Sequence, residues 1–150
     1  MCCIRPAAVI GYNPSFRYET IVNLICIRSL YKIPINIFES ALYGNKSYAT
    51  VKDNANAILF AIENMDKMHG QSFNVSSFDA NLKEILDIIK EEVPDINYFI
   101  SPEKRINQQV YTVSSEKIKR LGFMPTGELK STIKEAVRNL KNLRGYFYNY

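Results

Sequence analysis

The sequence has few glycines, and their spacing excludes the common nucleotide-binding loops. The six glycines stand at positions 11, 44, 70, 122, 127 and 145, so neither GxGxxG nor GxxGxxG can be written. A dinucleotide pyrophosphate therefore has no glycine-lined helix N-terminus on which to bind. The P-loop, HExxH and EF-hand patterns are absent as well. We expect this chain to bind no cofactor by itself.

Histidine and cysteine are also scarce. The single histidine, His69, excludes a histidine-based metal cluster and a Ser/His/Asp triad, so no metal site is expected. The cysteines are Cys2, Cys3 and Cys26, an odd number without CxxC spacing. We interpret them as reduced packing thiols, which are typical of a cytoplasmic protein.

Long apolar runs are missing. The longest apolar runs, such as Ala57 to Ile62, fall far short of the roughly 20 residues that span a bilayer. No basic residue precedes the apolar run at the N-terminus. Because a secretory signal has a positively charged segment before its apolar run, we do not interpret this run as a secretory signal. The sequence therefore predicts no membrane partner and a cytoplasmic location.

The net charge of +4 is unevenly distributed. Residues 1–100 carry nine basic and eleven acidic side chains, whereas residues 101–150 carry ten basic and four acidic ones. This asymmetry indicates either an anionic partner or a basic outer face on the last helix. Because the basic residues of that helix alternate with a regular apolar stripe, we favour the solvated face and expect no nucleic-acid partner.

Apolar patterns that alternate between strand and helix periods predict an α/β fold. Cys2 to Gly11 reads as one strand buried on both faces. Further strands are predicted at 33–38, 48–51, 71–75, 96–100 and 110–113, and helices at 18–31, after residue 51, after Asn81, near 115–121 and from Leu129. Asn81 and Glu84 have the spacing of a capping box.

Three predicted helices carry a clear apolar stripe. In the helix after Asn81 the stripe consists of Leu82, Ile85, Leu86 and Ile89. In the helix after residue 51, Ala55, Ile58, Leu59 and Ile62 recur at helical spacing, which predicts a buried face. The last helix presents a similar stripe, made of Leu129, Ile133, Ala136, Val137 and Leu140.

One short pattern resembles a catalytic pair. Tyr48 and Lys52 have the Tyr-x-x-x-Lys spacing in which a lysine lowers the pKa of a catalytic tyrosine. The pair needs both residues on one helix, four positions apart. Because Tyr48 is predicted in a strand and Lys52 at its junction with a helix, we interpret the match as coincidental and assign no catalytic residue.

Five motifs follow one another in the order found in one enzyme family. They are the run from Ile4 to Pro14, Ile21-Val-Asn23-Leu, the segment Ser47 to Ala57, Phe73-Asn-Val75, and the stretch from Val113 to Pro125. Together they resemble the C-terminal part of extended short-chain dehydrogenases, the NAD-dependent epimerase/dehydratase family. The resemblance covers roughly residues 2 to 141.

The resemblance implies a partial dinucleotide-binding, Rossmann-type sheet with a small α/β substrate-binding subdomain in residues 1–143, followed by an aromatic tail in residues 144–150. Intact members use NAD(P). Their glycine-rich loop and tyrosine-lysine pair precede the strand with which this chain begins.

The resemblance also implies substrate-binding residues. Asn23 matches a helix asparagine that contacts the nucleotide-diphosphate sugar, and Lys46 stands where the family has an arginine near the diphosphate. A second family arginine is Gln109 here, and Arg105 is the nearby residue that could replace it. Two alternative interpretations remain: Asn23 lies on a polar helix face, and Lys46 and Arg105 are solvated loop residues.

Pro6 and Ala7 match the segment that runs beside the nicotinamide ring, although close packing in a sheet would explain small residues there equally well. Ala8 and Thr50 replace an asparagine and a histidine that are common in the family. These two departures leave the identity of the sugar open.

The implied function is that of a fragment or truncated member of a nucleotide-sugar epimerase, dehydratase or reductase, which supplies the nucleotide-sugar side. The alternative is a non-catalytic nucleotide-sugar-binding or interaction module, a pseudoenzyme. The expected partners are a nucleotide-diphosphate sugar and either a separately encoded cofactor-binding half or a second copy of the chain.

Overall fold

A computed structural model describes residues 1–102 and 111–143. The predicted α/β fold is confirmed. The strands are β1 (Cys3–Pro6), β2 (Ala8–Ile10), β3 (Ile35–Phe38), β4 (Lys46–Thr50), β5 (Ser72–Val75), β6 (Phe78–Ala80) and β7 (Tyr98–Ser101). The helices are α1 (Ile21–Leu30), α2 (Glu39–Leu42), α3 (Val51–Glu63), α4 (Met65–Met68), α5 (Leu82–Glu92), α6 (Glu116–Lys119) and α7 (Leu129–Leu143).

The strands form three small sheets. β1 and β5 pair in parallel, and so do β3 and β7. In the third sheet, β4 pairs in parallel with β2 and antiparallel with β6. Helices connect the parallel strands of each pair, as the alternating sequence pattern predicts for parallel sheets.

The first predicted strand is in fact two strands. Ala7 still donates its backbone N–H to the Val75 carbonyl at 2.8 Å, but Ala8 already lies opposite Tyr48 of β4. The chain therefore changes its sheet partner at Ala7. The predicted burial on both faces is wrong for β1, where Cys3, Arg5 and Pro6 are exposed. Among the described residues, β1 pairs with β5 alone, so much of it stays open.

A larger hydrophobic cluster fills the space between α1, α5, α7 and the strands β2 and β3. The capping box of α5 is confirmed, because the Asn81 side chain accepts from the Glu84 N–H and the Glu84 carboxylate accepts from the Asn81 N–H, each at 2.9 Å. The predicted apolar stripes of α5 and α7 are largely buried in this larger cluster. Their fully or nearly buried members are Leu82, Ile85, Leu86, Ile89, Ile133, Ala136, Val137 and Leu140.

A smaller cluster lies where α3 and α6 cover the β1–β5 sheet. Ala57 and Ala61 of α3 pack there with Phe73, Val75 and Ile118. The predicted buried stripe of α3 is wrong: Ile58, Leu59 and Ile62 are 47%, 57% and 63% exposed. The helix approaches the sheet through its alanines, because small side chains permit the closer contact.

Three short elements escape sequence prediction. The helices α2 and α4 have four residues each and β6 has three, so none is long enough to show a period. The predicted strand at 110–113 is not formed by Tyr111 to Val113, while Val110 and the tail 144–150 lie outside the described residues. No helix within the described ranges is long and apolar enough to cross a membrane.

Candidate functional site

A buried carboxylate organises the region where β4 runs into α3. Thr50 caps α3, and its hydroxyl accepts the Asp53 N–H at 3.0 Å. The Asp53 carboxylate accepts from the Ser77 hydroxyl at 2.5 Å, from the Thr126 N–H at 3.0 Å and from the Gly127 N–H at 2.9 Å. One side chain thus ties together the start of α3, the β5–β6 loop and the segment before α7.

The hydrogen bonds to Asp53 set its ionisation. Burial alone would raise the pKa of this carboxyl, but donors from Ser77, Thr126 and Gly127 outweigh it and hold the pKa below its ordinary value. Asp53 is 1% exposed, and both of its carboxylate oxygens accept hydrogen bonds from groups of the protein itself. We therefore assign it a structural role, as its position in the first turn of α3 already suggests.

Asn23 is buried in α1, and among the described residues only the nitrogen of its side-chain amide forms a hydrogen bond. The side chain is 2% exposed, and its Nδ2 donates to the Arg17 carbonyl at 2.9 Å. Because a carbonyl can only accept, this bond fixes which end of the amide is the donor. The Oδ1 atom has no hydrogen-bond partner among the described residues. A solvated helix face is therefore the wrong interpretation of Asn23.

Lys46 begins β4 and lies against an aromatic ring. Its Nζ is 5.9 Å from the centroid of the Tyr111 ring, a cation–π arrangement. Ser47 holds the segment carrying that ring, because its hydroxyl accepts the Val113 N–H at 2.7 Å and its N–H donates to the Tyr111 carbonyl at 3.4 Å. In the described ranges no carboxylate forms an ion pair with Lys46, so its charge stays available.

Pro6 and Ala7 stand where the chain passes from β1 to β2. The Ala7 N–H is already bonded to Val75, and proline has no N–H to donate. Neither residue can offer a backbone donor to a cofactor, so a polar backbone contact could come only from a carbonyl acceptor. β2 and β4 run parallel with Ala8 opposite Tyr48, so the N-terminal ends of the two strands lie at the same edge of this sheet.

The structure thus brings Pro6, Ala7 and Lys46 to one end of a strand pair. No hydrogen bond or ion pair links Asn23 to Lys46 in the described part of the chain. Arg105 and Gln109 lie outside the described residues.

Comparison with solved structures identifies the fold. No model of a known protein family matches the sequence. An epimerase from Methanothermobacter thermautotrophicus superimposes with a TM-score of 0.82 at 16% identity, covering 97% of this chain and 44% of the other. The UDP-glucuronic acid 4-epimerase of Bacillus cereus, solved with UDP-glucuronic acid and NAD, gives 0.80 at 16% identity, with 93% and 45% covered. The UDP-glucose 4-epimerase of Thermotoga maritima, solved with UDP-glucose, gives 0.76 at 21% identity, with 94% and 46% covered.

The chain has the fold of the NAD-dependent epimerase/dehydratase family. It spans less than half the length of each of these solved chains. The Rossmann-type expectation for its strands is confirmed at the level of the fold.

Within this epimerase-type fold, the Tyr48 and Lys52 spacing does not form a catalytic pair. Tyr48 lies in β4 and is 3% exposed, whereas Lys52 lies in α3 and is exposed. Burial raises the pKa of Tyr48 to about 12, which opposes the deprotonation that a catalytic tyrosine needs.

The two positions that depart from the family serve the fold. Thr50, which replaces a histidine, is the cap of α3. Ala8, which replaces an asparagine, is half-buried opposite Tyr48.

A polar cavity of about 240 Å³ lies where residues 76–79 meet residues 113–119. Ser76, Ser77, Ser115 and Lys119 contribute polar atoms to its wall. Pockets that hold small molecules usually measure roughly 300–1,000 Å³. This cavity is therefore too small to enclose a nucleotide sugar by itself.

The basic last helix faces an acidic neighbour. Lys130 and Lys134 of α7 pair with Glu91 at 2.9 and 3.4 Å, and Lys134 also pairs with Glu92 at 3.2 Å. The hydrogen bond from Lys130 lowers the pKa of Glu91. The charge asymmetry along the sequence is thus partly cancelled in space, which weakens the case for a nucleic-acid partner.

Sequence reasoning missed several of these contacts. The Asp53 to Gly127 bond joins residues 74 positions apart, and the Ser47 to Val113 bond joins residues 66 apart. No local pattern marks Tyr111 as the ring beside Lys46. Such pairs depend on topology, and a single sequence carries no direct signal of them.

Proposed function

We propose that this chain is the C-terminal, substrate-side portion of an NAD-dependent nucleotide-sugar epimerase, dehydratase or reductase, and that it binds a nucleotide-diphosphate sugar. The observation that carries the proposal is the fold shared with epimerases solved with UDP-glucose and UDP-glucuronic acid. The buried, half-satisfied Asn23 is the local feature that supports it.

Asn23 and Lys46 would have complementary roles. Since Nδ2 of Asn23 is engaged by Arg17, the free Oδ1 can only accept a hydrogen bond. It would therefore accept from a hydroxyl or an N–H of the nucleotide sugar and not from a phosphate oxygen, provided that a shift of the segment around Arg17 exposes this buried atom. Lys46, whose charge is unpaired by any described carboxylate, suits the diphosphate, although lysine cannot form the bidentate contact of the usual arginine.

The chain by itself should not catalyse. It has no glycine-rich loop for NAD, Pro6 and Ala7 offer no backbone donor, and burial disfavours ionisation of Tyr48. In an intact enzyme NAD would supply the hydride acceptor, while this chain's own residues would hold and orient the sugar. Turnover of a nucleotide sugar with NAD by the purified 150 residues would contradict this part of the proposal.

Calorimetry with the purified chain tests the binding. UDP-, GDP- and dTDP-sugars are titrated in turn, and saturable heat is expected with at least one of them. Asn23→Leu and Lys46→Ala should each weaken binding roughly tenfold or more, the effect of losing about 1.4 kcal/mol. The control is Lys52→Ala, an exposed lysine on α3, which should leave the dissociation constant unchanged.

Circular dichroism of every variant separates loss of binding from loss of fold. A folded chain that binds none of the three sugar classes would contradict the proposal and leave the fold assignment intact. Binding that persists in Asn23→Leu and Lys46→Ala would contradict the roles of these residues only.

A further inference from the structure

An apolar groove lies along α1, on the side where this helix packs against α7. Its cavity measures about 90 Å³ and is lined by Tyr18, Ile27, Tyr31 and Leu140; we call it the α1 groove. Tyr18 precedes the helix and is 49% exposed, whereas Ile27 and Tyr31 also pack against the larger hydrophobic cluster. The α1 groove therefore extends the larger cluster to the surface.

The size of this cavity favours a side chain of the same polypeptide over a free molecule. A cavity of roughly 150 Å³ binds benzene, and pockets for small molecules usually measure roughly 300–1,000 Å³. The volume of about 90 Å³ would take an aromatic ring only in part. A segment on the same chain can still bind there, because tethering gives it a high effective concentration.

The aromatic tail, residues 144–150, has the composition and the length for the α1 groove. Four of its seven residues are aromatic, namely Tyr146, Phe147, Tyr148 and Tyr150. The helix α7 ends at Leu143, three positions after Leu140 of the groove wall. Seven extended residues span roughly 23–25 Å, whereas the ten residues of α1 are about 15 Å long. The tail can therefore reach the whole groove.

The sequence at the end of α7 favours a reversal of the chain. Gly145 stands two positions after the last helical residue, Leu143. Many helices end with a glycine at this position, because glycine adopts the left-handed conformation readily. In such endings the residue after the glycine often packs on the third or fourth residue from the helix end. Here the second of these pairs is Tyr146 and Leu140, so the motif directs the tail toward the α1 groove.

Tyr18 connects the groove to the loop before α1. Its ring meets the buried Phe16 edge-on, with the ring centroids 5.8 Å apart. Between these two residues, the Arg17 carbonyl accepts a hydrogen bond from Nδ2 of Asn23 at 2.9 Å. A ring packed on Tyr18 would therefore hold this loop, and the Arg17 carbonyl with it, against α1.

We propose that the aromatic tail turns back at Gly145, packs in the α1 groove and holds the loop before α1 in place. Left in solvent, the tail would expose three consecutive aromatic side chains, and contiguous apolar surface of this kind normally has an occupant. Docking in the groove would bury these rings and add aromatic contacts with Tyr18 and Tyr31. The inference depends on the groove and the tail, and not on the proposed function.

Photocrosslinking within the full chain tests the docking. Phe147 is replaced by the photoreactive amino acid p-benzoylphenylalanine, and crosslinked tryptic peptides are identified by mass spectrometry. We expect links to peptides 18–28 and 29–32, which carry Tyr18, Ile27 and Tyr31. The control carries the same amino acid in place of Leu59, which is 57% exposed on α3, and should not link to these peptides.

A mixture of ¹⁵N-labelled and unlabelled chains shows whether each link lies within one chain or joins two. Links within one chain from Phe147 to peptide 18–28 or 29–32 support the docking. Links only to other peptides, links only between two chains, or a yield no higher than that of the Leu59 control would overturn it.

Hydrogen exchange measures the effect of the tail on the loop before α1. The triple serine variant carries Tyr146→Ser, Phe147→Ser and Tyr148→Ser. It should speed exchange of the Leu24 amide, which donates to the Thr20 carbonyl at 2.9 Å, roughly tenfold, because the start of α1 then opens more easily. Circular dichroism checks that the variant remains folded.

A change on the groove side provides the matching test. Tyr18→Ser should speed the same exchange, and its combination with the triple serine variant should add little, since both remove one contact. Asn149→Ser, a polar change in the same tail, is the control and should leave the rate unchanged. Fully additive effects, or no effect of the triple serine variant, would contradict the contact between the tail and the loop.

The outcome is separable from that of the proposed function. If the expected crosslink forms but the chain binds no nucleotide sugar, the docking stands and the proposed function fails. If the chain binds a nucleotide sugar but Phe147 does not link to the groove peptides, the proposed function stands and the docking fails.

Discussion

The two hydrophobic clusters of this chain differ in how they are closed. The larger one lies between α1, α5 and α7, which bury their apolar stripes against one another and against the strands. The smaller one has α3 and α6 on one face of β1 and β5. Ile58, Leu59 and Ile62 of α3 are exposed there, and no strand among the described residues pairs with the second edge of β1. The larger cluster thus buries the apolar stripes of its helices, whereas the smaller one leaves the aliphatic side of α3 exposed.

The Asp53 carboxylate connects the two. It joins α3, which covers the smaller cluster, to the segment leading into α7 of the larger one. If the comparison is correct, substitutions in the larger cluster and at Asp53 should be costly, and substitutions on the outer side of α3 should cost almost nothing in the isolated chain.

The largest contrast is expected between two isoleucines. Ile89 of α5 is fully buried and Ile62 of α3 is 63% exposed. Ile89→Ala should lower the free energy of unfolding by roughly 2–5 kcal/mol, because it removes buried methylenes and leaves a cavity. Ile62→Ala should change it by less than about 0.5 kcal/mol. Urea titration followed by circular dichroism measures both, and equal losses would break the distinction between the clusters.

The next effect concerns the carboxylate between the clusters. Asp53→Ala leaves the Thr126 and Gly127 N–H groups without their acceptor. We expect a loss of roughly 2–4 kcal/mol, since each partly buried donor left unsatisfied costs about 1–3 kcal/mol. Asp87→Ala, which removes an exposed i,i+4 ion pair with Lys83, is the matched control and should cost less than about 1 kcal/mol. The same urea titrations decide between them.

Gly127 tests how tightly the segment before α7 is held. A Cβ added there would overlap the Thr50 methyl group and lie 2.6 Å from Asp53 Oδ2. Gly127→Ala should destabilise the chain by about 1–3 kcal/mol, the usual range for overpacking. Gly70→Ala meets no neighbouring atom and is strained only by its φ of +71°, at a cost of about 1–2 kcal/mol. Hydrogen exchange distinguishes them, because only Gly127→Ala should expose the Asp53 and Thr126 amides.

The smallest effect is a dependence on pH. The folded-state pKa of Asp53 lies below the ordinary 3.8, so its carboxylate stabilises the fold above the unfolded pKa and this contribution is lost as the pH falls through the lower, folded value. The Asp53→Asn variant has no titrating group at this position, so its free energy of unfolding should lack this pH-dependent contribution. The difference in unfolding free energy between the two proteins should therefore narrow below about pH 4. A difference that stays constant down to about pH 2 would contradict the role of the charge.

Several features of the fold were predictable because they depend on neighbours in the sequence. The capping box at Asn81 and Glu84 needs only two side chains three positions apart, and the stripes of α5 and α7 need only a regular apolar period. For α3 the predicted helical period was correct, but the predicted buried face was wrong. Both the Ile58, Leu59 and Ile62 set and the Ala57 and Ala61 pair are apolar, and periodicity cannot say which one meets the sheet.

The candidate site was predictable only in part. The resemblance pointed to Asn23 and Lys46, but neither the unpartnered Oδ1 of Asn23 nor the Tyr111 ring beside Lys46 follows from the sequence. Both depend on segments far apart in the chain, namely α1 with the loop before it and β4 with residues beyond 110. The proposed roles of Arg105 and Gln109 remain predictions, since both lie outside the described residues.

The sequence by itself determined the α/β class, the position of most helices and strands, and the lack of a glycine-rich cofactor loop, because each follows from local composition and spacing. Only the tertiary structure decided that β1 and β2 join different sheets, that Asp53 holds residues more than 70 positions away, and that the aliphatic side of α3 stays uncovered. These features depend on which surfaces meet, and that is fixed by the competition between close packing, hydrogen bonding and topology over the whole chain.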